Sequence, residues 1–237
     1  MKWTLVTGGA KGLGAEISMA LAKEGFSVLV HYRKSWKEAN QVAEVCRSHG
    51  VCSEIIQGDF SSITSLNEFI QRCHKQFPSI ENVINNVGNY LIKKATETAL
   101  EEWESIFQTN LHAPFALSTC FLNSIRANQG SIINIGVVGL SSARAEVQRT
   151  AYMVAKMSLW MLTKSLAREL AHEGIRVNMV SPGYLENSVD LPEDLSKLPM
   201  MRPAALCEVS RMICFLLQKQ NSYITGQNIE VGGGINL

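Results

Sequence analysis

Tyr152 and Lys156, in the run Tyr152-Met153-Val154-Ala155-Lys156, stand four residues apart, so on a helix a phenol and an ammonium share one face. The ammonium favours the phenolate, and the expectation is a tyrosine drawn below its ordinary pKa of about 10, able to exchange a proton near neutral pH. The same spacing also occurs on any surface helix with a half-buried tyrosine, and it gains weight from the other end of the chain. There Trp3-Thr4-Leu5-Val6-Thr7, an apolar run suited to a buried strand, leads directly into Gly8-Gly9-Ala10-Lys11-Gly12-Leu13-Gly14 and an amphipathic stretch. A strand, a glycine turn and a helix start let backbone N–H groups approach a pyrophosphate while the helix terminus favours its oxygens. The spacing G-x-x-x-G-x-G differs from the common G-x-G-x-x-G, and its alternative reading is a tight structural turn.

After the second strand an acid would accept from the adenosine ribose and repel a 2′-phosphate. This chain has His31-Tyr32-Arg33-Lys34-Ser35 instead, with Lys11 within reach of the same space. These donors favour NADP(H) over NAD(H). Otherwise Arg33 and Lys34 only solubilise a strand end.

The elements that must position these groups alternate short apolar runs with longer amphipathic ones, which predicts repeated βαβ units around a parallel sheet. Strands are expected at Trp3 to Thr7, Ser27 to Tyr32, Cys52 to Gln57, Asn82 to Asn85, Ser131 to Ile135, Arg176 to Val180 and Gln227 to Val231. Long helices are expected around Glu101 to Ala127 and Ala151 to Glu173. The fold class is therefore α/β, a doubly wound, Rossmann-type parallel sheet of about seven strands in one domain over residues 1–237. Residues 183–203 carry Pro192, Pro199 and Pro203 and cannot form one helix; they read as a substrate lid or as a surface excursion with one short helix.

Of the 237 residues 46% are hydrophobic, enough for one substantial core, and the net charge of +1 gives no global reason to expect nucleic acid or a membrane surface. A small molecule is the expected partner. The six cysteines form no C-x-x-C pair and are not interleaved with histidines, so reduced thiols and no metal site are expected. With Lys2 followed at once by a short strand, the chain reads as leaderless and cytoplasmic. Six arginines, among them Arg149 and Arg176, are dispersed and read as solvated surface or as a patch for an acidic partner.

The glycine loop, Asn85-Asn86-Val87-Gly88, Asn110, Tyr152-x-x-x-Lys156 and Ser181-Pro182-Gly183 together resemble, in type and order, the short-chain dehydrogenase/reductase family. Tyr223-Ile224-Thr225-Gly226-Gln227 is similar to a phrase of its bacterial 3-oxoacyl-carrier-protein reductases. The resemblance implies an NADPH-dependent oxidoreductase that reduces a carbonyl, of 3-oxoacyl or small-ketone type, with Tyr152 as proton donor. It implies that Lys156 holds the nicotinamide ribose and that Asn110 joins Lys156 through water. Thr7, Gly8, Lys11, Gly12, Leu13 and Gly14 would surround the pyrophosphate, and Tyr32, Arg33, Lys34 and Ser35 the 2′-phosphate. Asp59 and Phe60, with Asn86 and Gly88, would line the adenosine side, and Pro182 and Gly183 the nicotinamide. A homotetramer or homodimer is implied too, as is a small-molecule or acyl-carrier-linked substrate.

One family feature is missing. The serine that polarises the substrate carbonyl falls at Val137, which cannot donate, although Ser141 or Ser142 of the longer following loop would have room to return. Val137, Ser141, Ser142 and Tyr184 are the expected substrate-side residues. Relatives lacking this serine, such as pteridine reductases, reduce C=N bonds, and His31-Tyr32-x-x-Ser35 resembles theirs. A C=N reductase, or a weakly catalytic NADP-binding sensor or scaffold, is the other reading.

Overall fold

The computed structural model describes residues 1–142 and 144–235. Seven strands, β1 (Trp3–Val6), β2 (Val28–Tyr32), β3 (Ser53–Gln57), β4 (Ile80–Asn85), β5 (Ser131–Ile135), β6 (Arg176–Pro182) and β7 (Asn228–Val231), form one sheet in the order β3-β2-β1-β4-β5-β6-β7. Every neighbouring pair is parallel. All five residues of β5 are buried, because a parallel sheet has helices on both faces and its central strands meet no water.

Successive side chains point to opposite faces, so Leu5 joins one core and Val6 the other. On one face Leu5, Leu29, Val83, Ile132 and Val177 pack against α3 (Ile63–Gln76), α5 (Ala113–Cys120), α6 (Leu122–Asn128) and α7 (Thr150–Leu170). On the other, Val6, Val30, Ile84, Ile133 and Val180 meet α1 (Gly12–Lys23), α2 (Trp36–Ser48) and α8 (Leu206–Leu217). Strand order reverses between β1 and β4, and a crevice opens at the carboxyl ends of strands at such a point. The glycine loop leaves β1 there and Asn86 to Gly88 leave β4 there.

The helix expected over Glu101 to Ala127 is broken. It runs as α4 (Leu100–Phe107), a wide π turn at Gln108–His112, then α5 and α6. Pro114, in the first turn of α5, lacks an N–H, and the Asn110 side chain competes for a backbone carbonyl by donating to Ile106 O at 3.0 Å. Residues 183–203 contain one short 3-10 turn, Leu195–Lys197, capped by Asp194 and tied down by a bridge between Leu185 and Ala204. Arg176 is no surface arginine: it is buried and donates to the carbonyls of Leu216 and Leu217 at the end of α8. All six cysteines are unpaired. Among the described residues no helix is long and apolar enough to cross a membrane.

Candidate active site

The strand ends are stitched before any ligand is considered. Thr7 Oγ1 donates to Ile84 O at 3.1 Å and accepts from the N–H groups of Asn86 (2.8 Å) and Val87 (3.0 Å), while Asn86 Nδ2 donates to Thr7 O at 2.9 Å. Gly8 and Gly12 have φ of +64° and +51°, the left-handed region glycine enters without strain. Gly14 is needed for space: a Cβ there would lie 2.1 Å from Gly8 O. Gly14→Ala is therefore expected to force the loop outward and weaken dinucleotide binding by about tenfold to a hundredfold, the cost of overpacking a rigid site. A fluorescence titration with NADPH checks it, with thermal melting as the control for folding.

The loop is also held from the side. His31, 2% exposed, accepts from Gly8 N–H at Nδ1 (2.9 Å), which leaves the proton on Nε2 to donate to Gly58 O (3.2 Å). Its ring stacks on Phe60 with centroids 4.3 Å apart and meets Phe69 edge-on. Burial pushes its pKa down to about 4, against the Gly58 carbonyl and the Asp59 charge. The sequence placed His31 only within a phosphate-binding stretch. Alternation with the inward-facing Leu29 was the signal that its side chain points into the core.

At the expected 2′-phosphate corner Arg33 and Lys34 are exposed, Tyr32 is half-buried and Ser35 precedes α2. Lys11 is already paired: its Nζ lies 2.7 Å from Glu38 Oε1, both side chains being largely exposed. One expected phosphate donor is thus partly neutralised by an acid in the first turn of α2. A cavity of about 310 Å³ beside it is lined by Gly8, Arg33, Asp59, Phe60, Asn86 and Gly88. Burial alone would raise the Asp59 carboxyl, but the Ser61 N–H (2.9 Å) and the charges of Arg33 and Lys34 hold it below its ordinary value.

At the carboxyl ends of β4, β5 and β6 a cleft of about 430 Å³ brings together Asn110, Tyr152, Lys156, Val137, Pro182 and Gly183, and Leu13 and Tyr184 also reach it. Lys156 is 4% exposed, donates to Ile135 O at 2.7 Å, and is pushed down to about 8 by burial. Asn110 is fully buried; its amide donates to Asn89 O at 2.9 Å, and its Oδ1 has no partner among the described residues. Gly88 keeps the space between them open: a Cβ on it would lie 2.3 Å from that oxygen and 3.5 Å from Lys156 Nζ.

Tyr152 departs from expectation. Burial, and then its neighbours Tyr90 and Asp190, raise the phenol above its ordinary pKa, and only Arg149 opposes them. The Lys156 ammonium cannot reverse this, because it is aimed at Ile135 O and lies 5.6 Å from the Tyr152 ring centroid. The phenol keeps its proton through neutral pH.

Val137 stands on the cleft wall. Ser141 turns away from it, donating to Glu230 Oε1 of β7 at 2.8 Å beside the Gly139 N–H at 3.0 Å, and Ser142 is exposed. Sequence reasoning missed Tyr90 and Asp190 and left Arg149 among dispersed arginines. Tyr90 Oη donates to Asp190 Oδ2 at 2.5 Å, its ring meets the Tyr152 ring edge-on at 4.8 Å, and Arg149 lies 3.3 Å from Tyr90 Oη and 3.5 Å from Asp190. Arg149, three positions before Tyr152 on the last turn entering α7, was the legible member of this group. Residues 183–203 also fold back over the glycine loop, where a Cβ on Gly12 would lie 2.8 Å from Asn187 Nδ2.

Comparison with known proteins accords with this geometry. The family described as Enoyl-(Acyl carrier protein) reductase matches residues 8–236. The chain is 33% identical to a 3-oxoacyl-(acyl-carrier-protein) reductase of Staphylococcus aureus, covering 99% of this chain and 98% of the relative. Among solved structures it is similar to an acetoin dehydrogenase from Enterobacter cloacae, with a TM-score of 0.90 and 26% identity over 98% of this chain and 94% of that one. It is likewise similar to a blue fluorescent protein from a metagenomic library, in complex with NADPH, with a TM-score of 0.88 and 27% identity over 100% and 98% of the two chains. A glycine-rich turn after β1, a tyrosine and a lysine one helical turn apart in one cleft, and a family match over nearly the whole length lead to one conclusion: the chain belongs to the short-chain dehydrogenase/reductase family and is a short-chain oxidoreductase.

Proposed function

We propose that the protein is an NADPH-dependent reductase of a carbonyl group on a small ketone or 3-oxoacyl substrate, with Tyr152 as the proton donor. The observation that carries this is the Tyr152 phenol opening into the same cleft as Lys156 and the unpartnered Asn110 oxygen. The glycine loop fits a dinucleotide: Gly8, Gly12 and Gly14 leave room where any Cβ would be strained or would strike the backbone. When bound, the nicotinamide supplies a hydride.

The chain's own residues do the rest. Tyr152 passes its proton to the substrate oxygen as charge develops there. Lys156, a cation at neutral pH with a pKa of about 8, holds the ribose, and once turned from Ile135 O toward the cleft its ammonium stabilises the phenolate left behind. The Asn110 oxygen holds a water that returns a proton through Lys156. Residues 183–203 act as a lid, bringing Tyr184, Ser188 and Asp190 to the cleft. Exposed Phe115 on α5 and Met161 on α7 supply an apolar face for a second copy of the chain.

The names of the relatives support the substrate class: one acts on 3-oxoacyl-(acyl-carrier-protein) and another is an acetoin dehydrogenase. A C=N substrate is the second reading. It is favoured by Val137 on the cleft wall and by Ser141 turned to Glu230, which leave Tyr152 without a neighbouring serine.

The NADPH preference rests on Arg33 and Lys34 and on the solved relative in complex with NADPH. Replacing both Arg33 and Lys34 by Ala is expected to raise KM for NADPH about tenfold or more while leaving KM for NADH within about twofold, since charge-assisted hydrogen bonds to a phosphate are lost only with the former. Oxidation of NADPH and NADH, measured on a panel of ketones, 3-oxoacyl thioesters and cyclic imines, tests both substrate and cofactor. NADPH binding without turnover of any of them would point instead to a sensor.

A further inference from the structure

Arg149 stands on the wall of the cleft beside Tyr152, where a guanidinium would ordinarily be read as an anchor for an anionic substrate. The geometry removes that option. Its Nη2 and Nε lie 2.9 and 3.3 Å from Glu146 Oε2, and its Nη1 is taken up by Tyr90 Oη at 3.3 Å and Asp190 at 3.5 Å. Two carboxylates thus enclose one cation, and the group carries a net negative charge. Tyr90, pushed up to about 12 by burial and by Asp190, stays a neutral donor and spends its proton on Asp190 Oδ2. Both contacts of Asp190 are made at Oδ2, no hydrogen bond reaches its Oδ1 among the described residues, and Asp190 lines the cleft, so this cluster offers the cleft an acceptor. Val137, Val138, Leu185 and Val189 give the substrate-side wall its apolar surface, and Tyr184 and Ser188 are uncharged, so Asp190 is the carboxylate on that wall.

We infer that Asp190, positioned by Tyr90 and Arg149, is a specificity-determining residue that selects ketones bearing a hydrogen-bond donor or a positive charge next to the carbonyl and rejects those bearing a carboxylate. This rests on the reductase reading of the cleft. Like charge faces a carboxylate substrate across a partly desolvated gap, and no free cation of the cluster compensates it. A hydroxyl or ammonium instead meets an aspartate already held by the Tyr90 hydroxyl and the Arg149 charge, with little ordering left to lose.

Four methyl ketones of nearly one size separate the effects: 2-butanone, hydroxyacetone, aminoacetone and pyruvate differ only in an ethyl, hydroxymethyl, aminomethyl or carboxylate group. Their dissociation constants for the NADP-loaded protein are measured by calorimetry and, separately, their NADPH-dependent turnover. In the wild type aminoacetone and hydroxyacetone are expected to bind more tightly than 2-butanone, and pyruvate at least about thirtyfold more weakly than aminoacetone; Asp190→Asn should shrink that ratio about tenfold, the worth of one charge-assisted hydrogen bond. Tyr90→Phe keeps the ring packed on Tyr152 but removes the hydroxyl that fixes Asp190 Oδ2, and should also shrink the ratio, by less than Asp190→Asn does. If Asp190→Asn does not fold, that variant decides alone.

A ratio unmoved in the variants, or pyruvate bound most tightly, overturns the inference while leaving the reductase intact. The expected binding order with no NADPH oxidised on any of the four ketones, nor on larger ketones, 3-oxoacyl thioesters or cyclic imines, overturns the reductase reading and leaves the selectivity standing.

Discussion

Tyr152→Phe is expected to lower kcat by about a thousandfold or more while leaving the dissociation constant for NADPH within about threefold. A positioned general acid contributes on the order of 10² to 10⁴ to rate. This cleft lies toward the upper end, because Val137 offers no second donor and Ser141 is engaged with Glu230. Phenylalanine keeps the aromatic ring packed edge-on against Tyr90, so the change removes one oxygen and little else. Steady-state kinetics on the preferred ketone and a fluorescence titration with NADPH read the two quantities separately. Retention of kcat within tenfold of wild type would show that another group, Tyr90 or a water, donates the proton.

The second large effect concerns pH and the buried ring that braces the glycine loop. His31 has an ordinary pKa of 6.5 in the unfolded chain and about 4 in the fold, so the unfolded chain takes up the proton first as pH falls. Its contribution to stability is complete above pH 6.5 and is lost progressively as pH falls toward 4. The total is about 3 kcal/mol, since each pKa unit represents about 1.4 kcal/mol. Urea denaturation at pH 7 and pH 4.5 should show the wild type losing about 2–3 kcal/mol more than His31→Asn over that interval, the difference between the two proteins removing the shared titration of surface carboxylates. NADPH affinity should hold over most of that interval and fall only as pH drops through about 4, where the folded protein takes up the proton and Nδ1 can no longer accept from Gly8 N–H. Parallel stability curves for the two proteins would sink the assignment.

The fold was legible because both periods are written plainly in the chain. Seven apolar runs fell within two residues of the observed strands, and the segment from Ala151 to Glu173 became α7 and its closing 3-10 turn. The break inside Glu101 to Ala127 was less legible: the apolar pattern continues through it, and only the competition of a side-chain amide for a helix carbonyl, with Pro114 just beyond, reveals the π turn. The cleft was half legible. Glycines and the Tyr152–Lys156 spacing advertise themselves because backbone approach and helical periodicity are local properties. Lys11 gave no hint of its partner Glu38, which lies on the next helix. Tyr90, Arg149 and Asp190 come from three segments of the chain, and no spacing rule joins residues 100 apart.

The sequence by itself determined the layered α/β architecture, the dinucleotide-type turn and the identity of the phenol and ammonium that share one helical face. These follow from periodicity and from backbone sterics, which act between near neighbours. Tertiary structure decided their chemistry. It buried Tyr152 so that the phenol rises rather than falls in pKa, aimed Lys156 at Ile135 O, turned Ser141 toward Glu230, and surrounded Arg149 with carboxylates. Desolvation and charge pairing set a group's protonation and its partners, and both depend on what packs around it from distant parts of the chain.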